Sequence, residues 1–173
     1  MDQTEEYLQT RKQASLWRNI FRRHDPWYDA VAELWSRTPL FNDITNREIR
    51  RLTHAMHRRH YEAGEVIFRA NELGAGAAMI LSGKVAIQTK GVTLAQLGPG
   101  DFFGEVSLVL DELRTADAIA LEQSELVFFL RIDLDEWIAR SPRYGAILSK
   151  NLAYILAERL QYANRVIAEH KDA

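Results

Sequence analysis

The sequence contains no cysteine, which excludes a disulfide framework, a thiolate-bound iron–sulfur cluster and a cysteine nucleophile. It also lacks any apolar run near the ~18 residues that a membrane-spanning helix needs, so we expect no transmembrane segment. Positive charge is not in excess, because 22 Lys and Arg face 24 Asp and Glu, a balance typical of ordinary globular proteins. The chain begins with the polar and acidic residues MDQTEEYLQT, unlike a secretory signal, so we expect a cytoplasmic protein.

Motifs for catalysis and metal binding are also missing. There is no Ser-His-Asp order, no HExxH motif and no phosphate-binding P-loop. His54, His57 and His60 recur at a spacing of three, which would place them on successive turns of one helix. Arg58 and Arg59 lie among them and oppose a bound cation. We therefore predict an exposed helix end there, no metal site, no cofactor and no enzymatic activity.

Short strands separated by glycine turns dominate the middle of the chain. With 173 residues and 47% hydrophobic content, the chain is long enough for one domain with a core. Eight of its nine glycines lie between Gly64 and Gly104, and Lys90-Gly91 is typical of a hairpin tip. We predict a mainly β fold with flanking helices, an antiparallel jelly-roll-like β-roll over about residues 61–131. Period-two alternation predicts that the following residues are largely buried: Val66, Phe68, Ile80, Val85, Ile87, Leu97, Phe102, Leu108, Ile119, Val127 and Phe129.

Helices are predicted after the roll, over about residues 132–170. Apolar residues recur at helical spacing from residue 142 onward, and Pro142 suits the first turn of a long helix. One broad apolar face could pair with the same helix of a second copy, giving a homodimer. The alternative is that this face packs against the chain's own roll and arm. The face consists of Leu152, Leu156, Leu160, Ala163 and Ile167.

The first 26 residues form an N-terminal arm, separated by Asp25-Pro26 from a domain over residues 27–173. Residues 5–23 are predicted to be a helix with acidic residues early and basic residues late, which suits the helix dipole. Apolar residues surrounded by positive charge permit a membrane-surface or partner-docking helix. Packing on the chain's own domain or a dimer mate is the favoured interpretation.

The most informative segment is GPGDFFGEVSLVLDELRTADAIA, residues 98–120. It contains what a pocket for a phosphorylated sugar needs. A backbone without a side chain at Gly104, followed by a helix start, can face an anion. Glu105 can accept hydrogen bonds from sugar hydroxyls, and Arg114 offers a planar set of donors to phosphate oxygens.

This segment resembles the phosphate cassette of the cyclic nucleotide-binding domain family. The matching residues are Phe103-Gly104-Glu105, followed by Arg114-Thr115-Ala116 at a spacing that the family uses. The resemblance extends over roughly residues 28–168 and implies a β-roll with flanking helices. The phosphate and ribose site that it implies consists of Phe103, Gly104, Glu105, Val106, Ser107, Arg114 and Thr115.

The resemblance also implies a function, namely binding of cyclic AMP, with cyclic GMP less favoured. It nominates Leu160 on the last helix for packing on the purine and Asn164 for its polar edge. The sequence ends at Ala173 without a helix-turn-helix, so we expect no direct DNA binding and a signal passed to a dimer mate or an unknown protein partner.

An alternative is a degenerate domain that serves as an interaction scaffold without nucleotide. The family commonly has proline where this chain has Leu113. The preceding Asp111-Glu112 would also repel a phosphate if either carboxylate faced it.

Overall fold

The computed structural model describes residues 26–171, so the predicted helix over residues 5–23 lies outside its range. Helix α1 spans Pro26–Ser36, a single 3₁₀ turn covers Pro39–Phe41, and helix α2 spans Asn46–Thr53. Proline stands at the first position of α1, where its missing N–H costs no helical hydrogen bond. These elements form the helical entry to the strands.

Within residues 26–171, eight strands form two four-stranded sheets. The strand orders are β1-β8-β3-β6 and β2-β7-β4-β5, and every described pair is antiparallel, which confirms the predicted β-roll. The roll begins at His57, not near residue 61. The strands are β1 His57–Tyr61, β2 Val66–Phe68, β3 Gly76–Ser82, β4 Val85–Thr89, β5 Val92–Leu97, β6 Phe102–Phe103, β7 Asp117–Ala120 and β8 Ser124–Leu130.

The helix predicted through the histidines is wrong. His54 follows the last residue of α2, whereas His57 and His60 lie on strand β1. The first four residues of β1 are exposed, so the strand shows no apolar alternation by which it could be recognised. Among the described residues there is no group of three side chains suited to hold a metal ion.

The predicted hairpin tip at Lys90-Gly91 is confirmed. Strands β4 and β5 pair on either side of it, and the φ angles of Lys90 and Gly91 are 49° and 79°. Two successive positive φ values match the right-handed twist of paired strands in a two-residue turn. Glycine at the second position adopts this conformation without strain.

Trp35 of α1 joins the helical entry to the roll. Its side chain is 0% exposed, and its ring centroid lies 4.8 Å from that of Phe41, 5.4 Å from Phe102 and 6.3 Å from Phe129. All three contacts are edge-to-face, the geometry that aromatic quadrupoles favour. Trp35 is therefore the centre of the larger hydrophobic cluster of the domain.

Two helices follow the roll. Helix α3 spans Arg131–Arg140, and helix α4 spans Pro142–Lys171, which confirms Pro142 as its start. Leu148 and Leu152 of α4 are buried in the same cluster as Trp35, so the first turns of α4 are anchored to the domain. None of the described helices is both long and apolar enough to cross a membrane.

Of the eleven residues predicted to be largely buried, six are fully buried and five are half-buried. Ile119 is only half-buried because β7 alternates in the opposite sense and turns Ala118 and Ala120 inward. Small alanines leave space inside the roll, and a search for large apolar residues overlooks them. The six buried residues are Ile80, Val85, Phe102, Leu108, Val127 and Phe129; the other half-buried residues are Val66, Phe68, Ile87 and Leu97.

Candidate functional site

A cavity of about 300 Å³ lies between the sheet of β4 and β5 and the segment that follows β6. Its apolar wall includes three of the half-buried residues, Phe68, Ile87 and Leu97. The structure brings all seven predicted phosphate and ribose residues into its lining. These are Phe103, Gly104, Glu105, Val106, Ser107, Arg114 and Thr115.

Gly104 stands at the turn between β6 and a 3₁₀ helix, Glu105–Leu108. Its φ of 76° lies in the left-handed region, which residues with a side chain rarely adopt. A Cβ atom added here would lie 2.7 Å from Nη1 of Arg114. Both the turn and the close approach of the guanidinium therefore require glycine at this position.

Arg114 is fixed on the cavity wall by three backbone and side-chain acceptors. Its Nη1 donates to the carbonyl of Gly104 at 3.2 Å and to Oγ of Ser107 at 2.8 Å. Its Nη2 donates to the carbonyl of Gly76 at 2.7 Å, and the guanidinium carbon lies 4.1 Å from the centre of the Phe68 ring. Burial lowers the pKa of Arg114, and nearby carboxylates oppose this shift. The guanidinium remains protonated at neutral pH.

Glu105 presents a buried acceptor to the same cavity. The residue is 4% exposed, and its Oε1 lies 2.7 Å from Nη1 of Arg159. Within the described part of the chain, its Oε2 has no hydrogen-bond partner. Buried polar atoms are normally satisfied, so this oxygen is suited to accept a hydrogen bond from a ligand.

Arg159 of α4 is the site residue that the sequence reasoning missed. It lines the cavity, and besides its ion pair with Glu105 its Nη2 donates to the carbonyl of Phe102 at 2.8 Å. It therefore links α4 directly to Phe102 of β6 and to Glu105 of the 3₁₀ helix that follows. In the sequence it is the neighbour of Leu160, but the sequence does not reveal which face of α4 meets the cavity.

The comparison with known proteins agrees with this geometry. Residues 58–141 match the model of the cyclic nucleotide-binding domain. Over residues 58–141 the chain belongs to the cyclic nucleotide-binding domain family.

Two curated relatives carry this domain within longer chains. The cyclic AMP receptor protein of Thermus thermophilus is 36% identical over 132 residues, which are 73% of this chain and 59% of that protein. A CRP-like cAMP-activated global transcriptional regulator of Mycobacterium tuberculosis is 30% identical over 142 residues, 79% of this chain and 62% of that protein. The chain thus spans about three fifths of the length of these relatives.

Solved structures share the fold. The catabolite activator protein of Thermus thermophilus superposes with a TM-score of 0.69 and 35% identity, covering 78% of this chain and 63% of that one. A cyclic nucleotide-binding domain from Methylobacillus flagellatus has a TM-score of 0.71 at 23% identity, covering 83% of this chain and 84% of that one. At this lower identity the second comparison shows the fold alone.

The two residues nominated for the base of the nucleotide lie outside the cavity lining. Leu160 is 62% exposed, and Asn164 is exposed as well. On α4, Arg159 takes the position that faces the cavity. Contact of Leu160 and Asn164 with a purine stays a prediction.

The structure accounts for one departure from the family's cassette, the acidic residue Asp111. Asp111 is directed to Arg131 at the start of α3, with Nη2 of Arg131 2.5 Å from its Oδ1. Nη1 of Arg131 donates to the carbonyls of Ser107, at 3.3 Å, and Leu110, at 2.6 Å. Asp111 is not among the cavity-lining residues, whereas Glu112 is.

Proposed function

We propose that this domain binds a purine cyclic nucleotide, cyclic AMP in preference to cyclic GMP, and acts as a regulatory module. The observation that carries the proposal is one cavity with a fixed guanidinium at Arg114 and a buried, unpartnered oxygen at Glu105. These groups suit a cyclic phosphate and a ribose hydroxyl respectively. The preference for cyclic AMP is supported by the names of the two relatives, a cyclic AMP receptor protein and a cAMP-activated regulator.

The binding mode follows from the donors and acceptors that remain in the cavity. Arg114 uses three hydrogen bonds to hold the protein and has further N–H donors for phosphate oxygens. The backbone at Gly104 can approach the phosphate closely because no side chain intervenes. The purine would contact the apolar wall that includes Ile87 and Leu97.

Calorimetric titration of the full chain with cyclic AMP and with cyclic GMP tests the proposal. We expect saturable binding of cyclic AMP and weaker binding of cyclic GMP. Absence of binding of either nucleotide at millimolar concentration would contradict the proposal and favour the alternative, a scaffold without nucleotide.

Signal output through α4 is the second part of the proposal. Arg159 on α4 pairs with Glu105, the carboxylate that we propose binds the ribose. A ligand that engages Oε2 of Glu105 therefore acts on the group that holds this helix. Ligand binding and the position of α4 are then thermodynamically linked, and each stabilises the other.

Arg159→Gln is expected to reduce nucleotide affinity by about fivefold, corresponding to ~1 kcal/mol. The effect is modest because the Arg159 side chain is 50% exposed and therefore screened by solvent. Hydrogen exchange across the described part of α4 should also lose its dependence on the nucleotide. The matched control is Arg165→Gln, on the exposed face of the same helix, which should bind like the wild type. Equal loss in both variants would contradict a specific role for Arg159.

Dimerisation through α4 is also proposed. The predicted apolar face divides along the helix: Leu152 is 4% exposed, whereas Leu160 and Ile167 are 62% and 54% exposed. The early part packs on the chain's own domain, and the later part is available to a second copy. We expect a dimer by light scattering at tens of micromolar, and a monomer for Leu160→Glu combined with Ile167→Glu. A monomeric wild type, with and without nucleotide, would contradict this.

A further inference from the structure

Strand β1 has a basic sequence, HRRHY, and one of its edges is unpaired within residues 26–171. It is the outermost strand of its sheet and pairs along all five residues with β8. No other described strand pairs with its second edge. An edge of this kind presents backbone N–H and C=O groups that a further strand can satisfy.

A groove follows this strand, formed by two cavities that share His57 and Arg59. The larger cavity, about 680 Å³, has Phe128 and Leu130 of β8 in its apolar lining. The smaller, about 320 Å³, is lined in addition by Trp27 and other residues before β1. Apolar or aromatic side chains therefore line both cavities beside the strand. We name this surface the β1 groove, and neither His57 nor Arg59 lines the nucleotide cavity.

Positive charge in the β1 groove is only partly neutralised by the domain itself. Arg58 pairs with Glu125 at 2.6 Å, and His57 lies 3.3 Å from Asp133. Among the described residues no carboxylate lies within ion-pair distance of Arg59. The groove is thus locally basic in a chain whose formal net charge is −2.

Glu65 also borders the larger cavity, but it is engaged by its own turn. Its Oε2 accepts a hydrogen bond of 2.7 Å from the backbone N–H of Glu62. The acidic side chain is held by the tight turn that leads from β1 to β2, so among the described residues it does not neutralise Arg59.

We propose that the β1 groove binds an extended, acidic segment of a partner protein. The segment adds to the edge of β1 as a further strand, a recognised mode of peptide binding. Its acidic side chains contact Arg59, and the apolar side chains that alternate with them lie on the opposite face of the sheet, where Trp27 and Tyr28 line the smaller cavity. At ~3.3 Å per residue, the five residues of β1 accommodate a segment of about five residues.

Charge and backbone chemistry select this occupant over two others. A second copy of β1 would place arginines and histidines opposite the same residues, and like charges directly opposite each other are destabilising. A nucleic acid would satisfy the positive charge, but it lacks the alternating backbone N–H and C=O groups that complement a strand edge.

Fluorescence anisotropy with a labelled heptapeptide of alternating glutamate and valine, EVEVEVE, tests the proposal on the full chain. We expect saturable binding of this probe and none of its lysine counterpart, KVKVKVK. Arg59→Glu should weaken the acidic probe by about tenfold or more, because the reversed charge repels it. Arg47→Glu, the same charge change at an exposed position of α2, is the matched control and should have little effect. Nucleotide affinity should be unchanged in both variants, and this measurement also shows that they are folded. If Arg59→Glu does not fold, Arg59→Ala replaces it.

Four outcomes would overturn the proposal. Equal binding of the acidic and basic peptides would remove the charge argument. Unchanged binding to both Arg59 variants would place the site elsewhere. Binding of a ten-nucleotide oligothymidine without binding of EVEVEVE would identify a nucleic-acid surface instead. Pairing through the backbone is tested by a probe with proline at its centre, EVEPEVE, which lacks one N–H and should bind more weakly. Equal affinity for this probe would exclude strand addition.

Discussion

Replacement of Arg114 by alanine is expected to weaken cyclic nucleotide binding by about thirty- to several-thousand-fold, equivalent to about 2–5 kcal/mol. Arg114 is the cation held in the cavity wall, and its guanidinium is fixed before any ligand arrives by Gly76, Gly104 and Ser107. A donor that is already oriented loses little entropy when it binds phosphate. Its removal takes away the guanidinium that is free to pair with the phosphate, because the other arginine of the cavity lining, Arg159, is paired with Glu105.

Two further substitutions separate charge from geometry at this site. Arg114→Lys keeps the charge but cannot reproduce the planar set of donors, so we expect a loss nearly as large as for alanine. Glu105→Gln should have a smaller effect, because its amide oxygen still accepts from a ribose hydroxyl, although without charge assistance. The expected order of affinity is wild type, Glu105→Gln, Arg114→Lys and Arg114→Ala.

Calorimetry at a single salt concentration measures these affinities. Thermal unfolding of each variant is needed beside it, since Arg114 also donates to three groups of the protein and its loss costs roughly 1 kcal/mol of stability for each hydrogen bond. Titrations are therefore made well below each midpoint. If the wild type binds a cyclic nucleotide and Arg114→Ala binds it equally well, the nucleotide lies in another cavity.

The cassette could be predicted from the sequence because its signals are local. Gly104, Glu105 and Arg114 occur in a fixed order, and the turn that joins them is specified by glycine. The β-roll was predictable for a similar reason, since Lys90-Gly91 and the other turn residues mark the ends of short strands. Such features depend on neighbours in the chain, and no tertiary contact is needed to recognise them.

Arg159 could not be predicted, because its role depends on how α4 packs. It is 54 positions from Glu105 in sequence (159 − 105), and its contact exists only because Leu148 and Leu152 anchor α4 to the roll. The family resemblance nominated the next residue, Leu160, which is exposed and lies outside the cavity lining. Helical periodicity gives the faces of a helix but not which face meets a given cavity.

Two glycines illustrate a further limit of the sequence. Gly74 and Gly76 resemble ordinary turn glycines, yet Gly76 lies in strand β3, and a Cβ there would be 2.2 Å from the carbonyl oxygen of Phe129. A Cβ at Gly74 would be 2.0 Å from Oγ of Ser107, which holds Arg114. Both glycines are required by close packing around the site, and this requirement is invisible until the strands are placed.

Trp35→Ala is expected to lower the free energy of unfolding by about 3–5 kcal/mol, the range for truncation of a large buried aromatic residue. Trp35 is fully buried, and its ring contacts Phe41, Phe102 and Phe129, so its removal leaves a cavity between α1 and the roll. Because small domains are stabilised by about 5–15 kcal/mol in total, this loss is a large part of the whole.

Urea unfolding of the wild type and three variants measures the effect. Trp35→Phe should cost less than Trp35→Ala, since it keeps an aromatic ring and removes an Nε1–H that has no hydrogen-bond partner among the described residues. Leu94→Ala is the control for an apolar truncation at a position 60% exposed, and it should change stability by no more than about 0.5 kcal/mol. Phe102 contacts Trp35 and also accepts a hydrogen bond from Arg159, so Trp35→Ala should in addition weaken nucleotide binding. A loss below about 1 kcal/mol for Trp35→Ala would show that α1 is not part of the cooperative core.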